Sequence, residues 1–381
     1  MKYATKFVTF LGVIMIWGAC KKPYNPPAVN NQNNFLVVDG FLNTDGNQSI
    51  VKLSRTTNIS DTIKLKPELG ARVLVEDSQG NKYSSNPYNN GDYAFFLPSN
   101  SANKYRLTIV TNDNKEYASN FVDAKASPDI DSISYGIGKN GLSVYANAHD
   151  QSNNTRYYRW EYEETYEFTS NYQSFFENTG FDLVYRQIDI YHCWRTDKSS
   201  SIILASTAKL NKDIVSEQLL SFIPSNSEKI DKKYSILVKQ FGLTKEAYSY
   251  WELLRKNTET LGSIFDAQPS QISGNLKCLS DPDVTVIGYV SAGSVKQKRI
   301  FISKKLLPRE WEKKYPITCE VDTFLFSKNG IGALVGPRPS AMPINSISSK
   351  TGPGIIGYTG SAERCVNCTL RGTNIRPSFW E

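Results

Sequence analysis

From Phe35 onward, apolar and polar residues alternate over short runs separated by turn residues. The runs Phe35–Leu42, Ser49–Leu53, Ala71–Asp77, Lys82–Ser84, Ala94–Leu97, Lys104–Thr111 and Glu116–Val122 each read as a strand. In Ala71–Asp77, Ala71, Val73 and Val75 share a face; in Lys104–Thr111, Tyr105, Leu107 and Ile109 do. Gln79-Gly80-Asn81 and Asn112-Asp113-Asn114 supply turn chemistry between them. This spacing predicts an N-terminal immunoglobulin-like or prealbumin-like β-sandwich over residues 35–127. Ala126-Ser127-Pro128 marks the boundary to a second, larger β-rich domain, residues 128–381.

The second domain continues the two-residue period in Ile130–Ile137 and Leu142–Ala148. Arg156–Phe168 is the clearest case. Tyr158, Trp160, Tyr162 and Glu164 share one face, whereas Tyr157, Arg159, Glu161 and Glu163 share the other, as in a half-buried strand. Tyr191–Arg195, Ser200–Ser206 and Tyr234–Gln240 also read as strands, and residues 170–188 as a loop with a weak element. One amphipathic helix is predicted over residues 245–262. Leu243 and Thr244 resemble a staple and an N-cap, and Ala247, Tyr250, Trp251, Leu254, Thr258, Leu261 and Phe265 recur at helical spacing. Asp266–Pro269 ends it. Ile272–Cys278, Val284–Ala292 and Gln297–Ser303 predict three more strands, Glu310–Tyr315 a short helical turn, and residues 327–364, rich in Gly, Pro and Ser, an irregular segment. The fold class is therefore mainly β, and 22 Tyr and 18 Phe agree with it.

The start of the chain has a different pattern. Lys2 and Lys6 precede an apolar run, Phe7–Trp17, which is followed by Gly18, Ala19 and Cys20. This is the layout of a secretory signal over residues 1–19. The run is shorter than the roughly 20 residues of a spanning helix. A Cys directly after the small pair resembles a bacterial lipoprotein box, which implies lipidation at Cys20. Trp17 departs from the aliphatic residue usual in such boxes. Residues 20–34 then read as an extended, lipidated tether. The formal charge of +7 falls by two when Lys2 and Lys6 leave with the signal, and the remaining basic residues are scattered. Nothing here points to nucleic acid.

Beyond Cys20, five cysteines remain: Cys193, Cys278, Cys319, Cys365 and Cys368. Export makes disulfides the expected state. Cys365 and Cys368 are expected to pair with two of the other three, and the odd number leaves one thiol over. His192-Cys193 offers two ligand types for zinc, yet neighbours on a strand point to opposite faces, so no metal site is expected. Gly352–Gly357 matches a dinucleotide-binding spacing but lacks the strand, helix and acidic partner that give it meaning, so no cofactor is expected. His149 and His192 are the only imidazoles. Glu161, Glu163, Glu164 and Glu167 form a carboxylate cluster of the kind glycoside hydrolysis needs; such clusters are more often a solvated strand face. Asp281 and Asp283 flank a Pro turn and do not make a calcium loop. No catalytic residue is assigned.

Four stretches resemble one known family: Tyr157–Trp160, the block Tyr234–Leu276, the block Val286–Ile302, and the ending CVNCTLRGTNIRPSFW from Cys365 to Trp380. They are similar to the Bacteroidota lipoproteins of domain-of-unknown-function family 4249. The resemblance implies a lipid-anchored outer-membrane protein, often encoded beside a TonB-dependent receptor, and carries over no catalytic residues. The expected role is a non-enzymatic accessory or ligand-binding partner of such a receptor, facing either the periplasm or the outside. The alternatives are an envelope enzyme acting on glycans and a purely structural surface lipoprotein.

Overall fold

The structure is a computed structural model that describes residues 34–57, 66–87, 90–99, 103–259, 274–328 and 330–380. The expected signal peptide, Cys20 and all of the tether but residue 34 lie outside the described residues. So do the end of the helix near 262, with Leu261 and Phe265, and the break at Asp266–Pro269. The protein is mainly β.

The chain enters on β1 (Leu36–Asn43), which pairs antiparallel with β2 (Gln48–Arg55). Both bury alternate residues: Leu36, Val38, Leu42, Val51 and Leu53 face inward. Against them lie Val73, Val75, Tyr105, Leu107, Ile109 and Tyr117 from the strands Arg72–Asp77, Lys104–Val110 and Glu116–Ser119. One 12-stranded sheet thus doubles over a shared core, as a sandwich does. Residues 35–127 do not complete it. The strands Leu276–Cys278 and Val286–Gly293 belong to the same sheet, and the latter runs parallel to β1 and to the strand Val122–Lys125, joining the two limbs.

A second sandwich follows. A three-stranded sheet, Ile130–Gly138, Gly141–His149 and Ile214–Pro224, faces a five-stranded sheet. The centre of the latter is β3 (Tyr157–Thr169), flanked by Lys233–Gly242, called β4, and by His192–Lys198. Tyr158, Trp160, Tyr166 and Phe168 of β3 point into the core with Ile236 and Val238 of β4, as the alternation requires. Glu164 lies on this buried face too. It accepts hydrogen bonds from Ser221 Oγ and Tyr234 Oη at 3.0 and 2.7 Å and pairs with Lys229. Its charge is met inside the fold.

Helix α1 (Lys245–Glu259) starts where the sequence places it: Thr244 Oγ1 accepts from the Ala247 amide at 3.2 Å. Its apolar side wedges between the sandwiches. Tyr250 packs against Tyr289 of the first in a tilted ring pair at 5.1 Å, and Trp251, Tyr248 and Ala247 meet Phe241 and Tyr157 of the second.

Three expectations need correction. Residues 327–364 are not irregular throughout: the strands Met342–Ser348 and Ile355–Ser361 form a sheet with Asp322–Leu325. Glycine serves close packing there, since a Cβ on Gly357 would lie 2.3 Å from the Phe324 carbonyl oxygen. Residues 170–188 contain a hairpin, Phe176–Asn178 with Leu183–Tyr185, packed on that sheet. Glu310–Tyr315 forms no helical turn; the nearest one is Lys304–Leu306, started by Ser303. Finally, the ending Arg376–Trp380 straps the second sandwich: the Arg299 guanidinium lies 3.7 Å over Phe379, and Phe301 meets Trp380 edge-on at 5.6 Å.

Candidate functional site

The site follows from which face each strand turns outward. On β1 the inward residues are Leu36 and Val38, so Asp39 and Phe41 turn the other way. Phe41 meets Phe241 of β4 edge-on at 4.9 Å. This contact presses the outer face of the first sandwich onto the outer face of the second. Asp39 lies opposite Lys52 in the β1–β2 register. Across from them stand Arg159, Glu161 and Glu163, the charged face of β3, with Lys239 of β4 beside Glu161. Trp251 of α1 and the segment Lys198–Ile202 close the ends.

Between these walls is a cleft of about 350 Å³. A second basin of about 310 Å³ adjoins it toward Asn43, Asn47 and Gln48. Asp39, Lys52, Arg159, Glu161 and Lys239 line both, so they form one trough of a size usual for small-ligand sites.

Arg159 is the fixed point. It is 8% exposed, with its guanidinium 4.1 Å over the Trp251 ring and 4.6 Å over the Phe241 ring. Its Nη2 donates to Glu161 at 2.9 Å, and its buried Nε has no hydrogen-bond partner among the described residues. Burial lowers its pKa against the pull of Glu161 and Asp39. Glu163 pairs with Lys239 at 2.7 Å. Burial opposes its charge, yet the Lys239 hydrogen bond and the cations Lys239, Lys198 and Arg299 hold its carboxyl below the usual range.

Asp39 is different. Its side chain is exposed to solvent at the cleft mouth, yet protein atoms crowd its other sides. That burial pushes its carboxyl above the usual range; Glu161 and Asp92 add to the shift, and Arg159 and Lys52 oppose it. Tyr250, buried and close to Asp39, is pushed up to about 12. Among the described residues Asp39 has neither a hydrogen-bond nor an ion-pair partner. Lys198 has none either, and Lys52 reaches only Asp92 at 4.0 Å.

The structure brings Glu161 and Glu163 of the predicted carboxylate cluster into this cleft. It sends Glu164 to the core and leaves Glu167 opposite Trp194 on the neighbouring strand. Sequence reasoning missed Asp39. The signal was present, an acid inside an otherwise apolar strand, but its facing wall is about 120 residues away.

The cysteines form two pairs, Cys193–Cys368 and Cys319–Cys365, each with Cα atoms 5.8 Å apart. Cys278 is the thiol left over: it is buried in the first sandwich, whereas Cys193 and Cys368 pack in the core of the second and Cys319 and Cys365 flank the strands Asp322–Leu325 and Ile355–Ser361. No metal-holding cluster occurs among the described residues. His192 and His149 bond to Asp189 and Asp131, each at 2.8 Å.

Two sandwiches meeting at a charged trough define a β-rich protein with a cleft between its sheets lined by opposed charges. The chain belongs to the family described as "Domain of unknown function (DUF4249)", whose model matches residues 21–299. No curated protein matches it.

Proposed function

We propose that this protein is an outer-membrane lipoprotein, anchored through Cys20, that binds a small polar ligand in the inter-sheet cleft. It acts as a non-enzymatic accessory of a TonB-dependent receptor. The carrying observation is the trough itself, where Asp39, Lys52 and Lys198 keep unspent hydrogen-bonding capacity around the immobilised Arg159–Glu161 pair. The expected lipid anchor fits this role. Residues 20–34 lead directly into β1, so the segment that ties the body to the bilayer runs into the strand that carries Asp39. Fractionation tests the anchor: Cys20→Ser should move the protein from membrane to soluble fraction, and retention in the membrane would refute it. Pull-down of the tagged protein from membranes should bring down a TonB-dependent receptor; a clean pull-down of this chain alone counts against the partnership.

A second reading, hydrolysis of a glycosidic bond, draws on one specific feature. Asp39 and Glu161 share the cleft in different environments, the first raised by burial and the second paired with Arg159. It requires release of reducing ends from envelope glycan that both Asp39→Asn and Glu161→Gln abolish. Unchanged glycan with the wild-type protein dismisses it.

A further inference from the structure

The lining of the trough narrows the ligand, on the reading that the cleft is a binding site. Three carboxylates, Asp39, Glu161 and Glu163, line the main basin with four cations, Lys52, Arg159, Lys198 and Lys239. A ligand with only negative charge meets the first set, and one with only positive charge meets the second. Two internal pairs, Arg159–Glu161 and Lys239–Glu163, consume part of this charge. What remains has both signs: the unpartnered carboxyl of Asp39 on one wall, and the ammonium groups of Lys52 and Lys198. A neutral hydroxyl ligand exchanges water hydrogen bonds for similar ones and gains little. Charge-assisted hydrogen bonds are roughly twice as strong, and a carboxylate that lines the cleft without a hydrogen-bond or ion-pair partner among the described residues gains most from a cationic donor.

We infer that the cleft takes a short zwitterionic peptide. Its terminal ammonium donates to Asp39, and its carboxylate lies on Lys198. The adjoining basin carries the side-chain amides of Asn43, Asn47 and Gln48, which match the donor and acceptor sequence of peptide units. Trp251 offers the indole surface not covered by Arg159. Arg159 and Glu161 act as positioning residues: clamped between two rings, the guanidinium fixes the charge pair beneath the ligand and keeps Glu161 from competing for the ammonium.

The test is calorimetry on the mature full-length protein with three probes: trialanine, N-acetyl-trialanine amide, which lacks both charges, and maltotriose. Trialanine should bind at least tenfold more tightly than either of the others. Asp39→Asn and Lys198→Met should each weaken trialanine at least tenfold while leaving the melting temperature in place. Equal binding of the uncharged peptide or of maltotriose overturns the zwitterion assignment and leaves a cleft-binding protein. Absence of trialanine binding, or trialanine binding indifferent to Asp39→Asn, overturns the assignment outright. The cleft reading itself is judged separately by whether protein taken from its own envelope carries a ligand.

Discussion

Arg159 shows how much one side chain does here. Its planar guanidinium fills the space between Phe241 and Trp251 and neutralises Glu161. Arg159→Ala should cost about 3 kcal/mol in urea denaturation, because both rings lose their filler and the Glu161 charge loses its partner. Arg159→Met, which keeps the packing, should recover most of that stability. Asp39 behaves in the opposite way. Its carboxyl is raised by burial, so the folded state binds its proton more tightly than the unfolded chain does. Its ionisation therefore opposes folding as pH rises through the folded pKa, and Asp39→Asn should leave the melting temperature at neutral pH unchanged or slightly higher. Binding of an ammonium ligand has the reverse sign. It needs the carboxylate, so affinity should fall as pH drops through the raised Asp39 pKa, and Asp39→Asn should flatten that limb. Arg159, Glu161, Lys52, Asp92 and Tyr250 all surround Asp39, but a limb that survives Asp39→Asn would assign the titration elsewhere.

At the scale of elements, two features set the frame of the cleft. The strand Val286–Gly293 lies parallel to β1 in full register, and Gly288 allows it: its φ is +138° and a Cβ there would lie 2.0 Å from the Val38 carbonyl oxygen. Gly288→Ala should lower stability by about 3 kcal/mol and disturb β1, the strand that carries Asp39. The loop after His149 is held by Asp150, whose carboxylate accepts from the amides of Ser152, Asn154 and Thr155 and from two hydroxyls. Burial pulls its pKa up, but these hydrogen bonds hold it far below the usual range. This contribution is complete above the unfolded value of about 3.9 and is lost as pH falls below it. Asp150→Asn should lower the melting temperature at pH 7, and by progressively less as the pH falls below about 3.9. The same elements show what the sequence could reveal. β3 was legible because its aromatic and charged residues alternate from Tyr158 to Phe168 with Glu164 as the one exception, and α1 because its cap and stripe are local. Ile214–Pro224 was not. Register shifts beside Ala146 and Glu217 at φ +50° break its period, so inward residues stop alternating. Parallel pairing of Val286–Gly293 with β1 has no turn to announce it, and the strand Ile355–Ser361 looks like a loop because its Gly357 and Gly360 serve close contact.

At the scale of the molecule, the parts are tied together by bonds far apart in sequence. Cys193–Cys368 spans 175 residues and fastens the C-terminal segment to the second sandwich, and Cys319–Cys365 spans 46 and closes the segment that holds the strands Asp322–Leu325, Met342–Ser348 and Ile355–Ser361. Each should contribute roughly 3 to 5 kcal/mol by the chain-entropy argument. Alkylation in denaturant without reductant should label one thiol downstream of Cys20, Cys278; five labelled thiols would contradict the pairing. The cleft belongs to this scale as well. No single strand contains it, and it exists only because Phe41 meets Phe241 and α1 fills the wedge, so sequence could supply Glu161 and Glu163 but not their opposite wall.

Native mass spectrometry of the protein released from its own envelope fraction tests most directly that this cleft is a binding site. Wild-type protein should carry a discrete small-molecule mass in excess of the chain and its lipid. A variant with Asp39→Asn and Lys198→Met, equally folded, should lack it. The same mass on both proteins, or none on the wild type under conditions that preserve non-covalent complexes, would contradict the account.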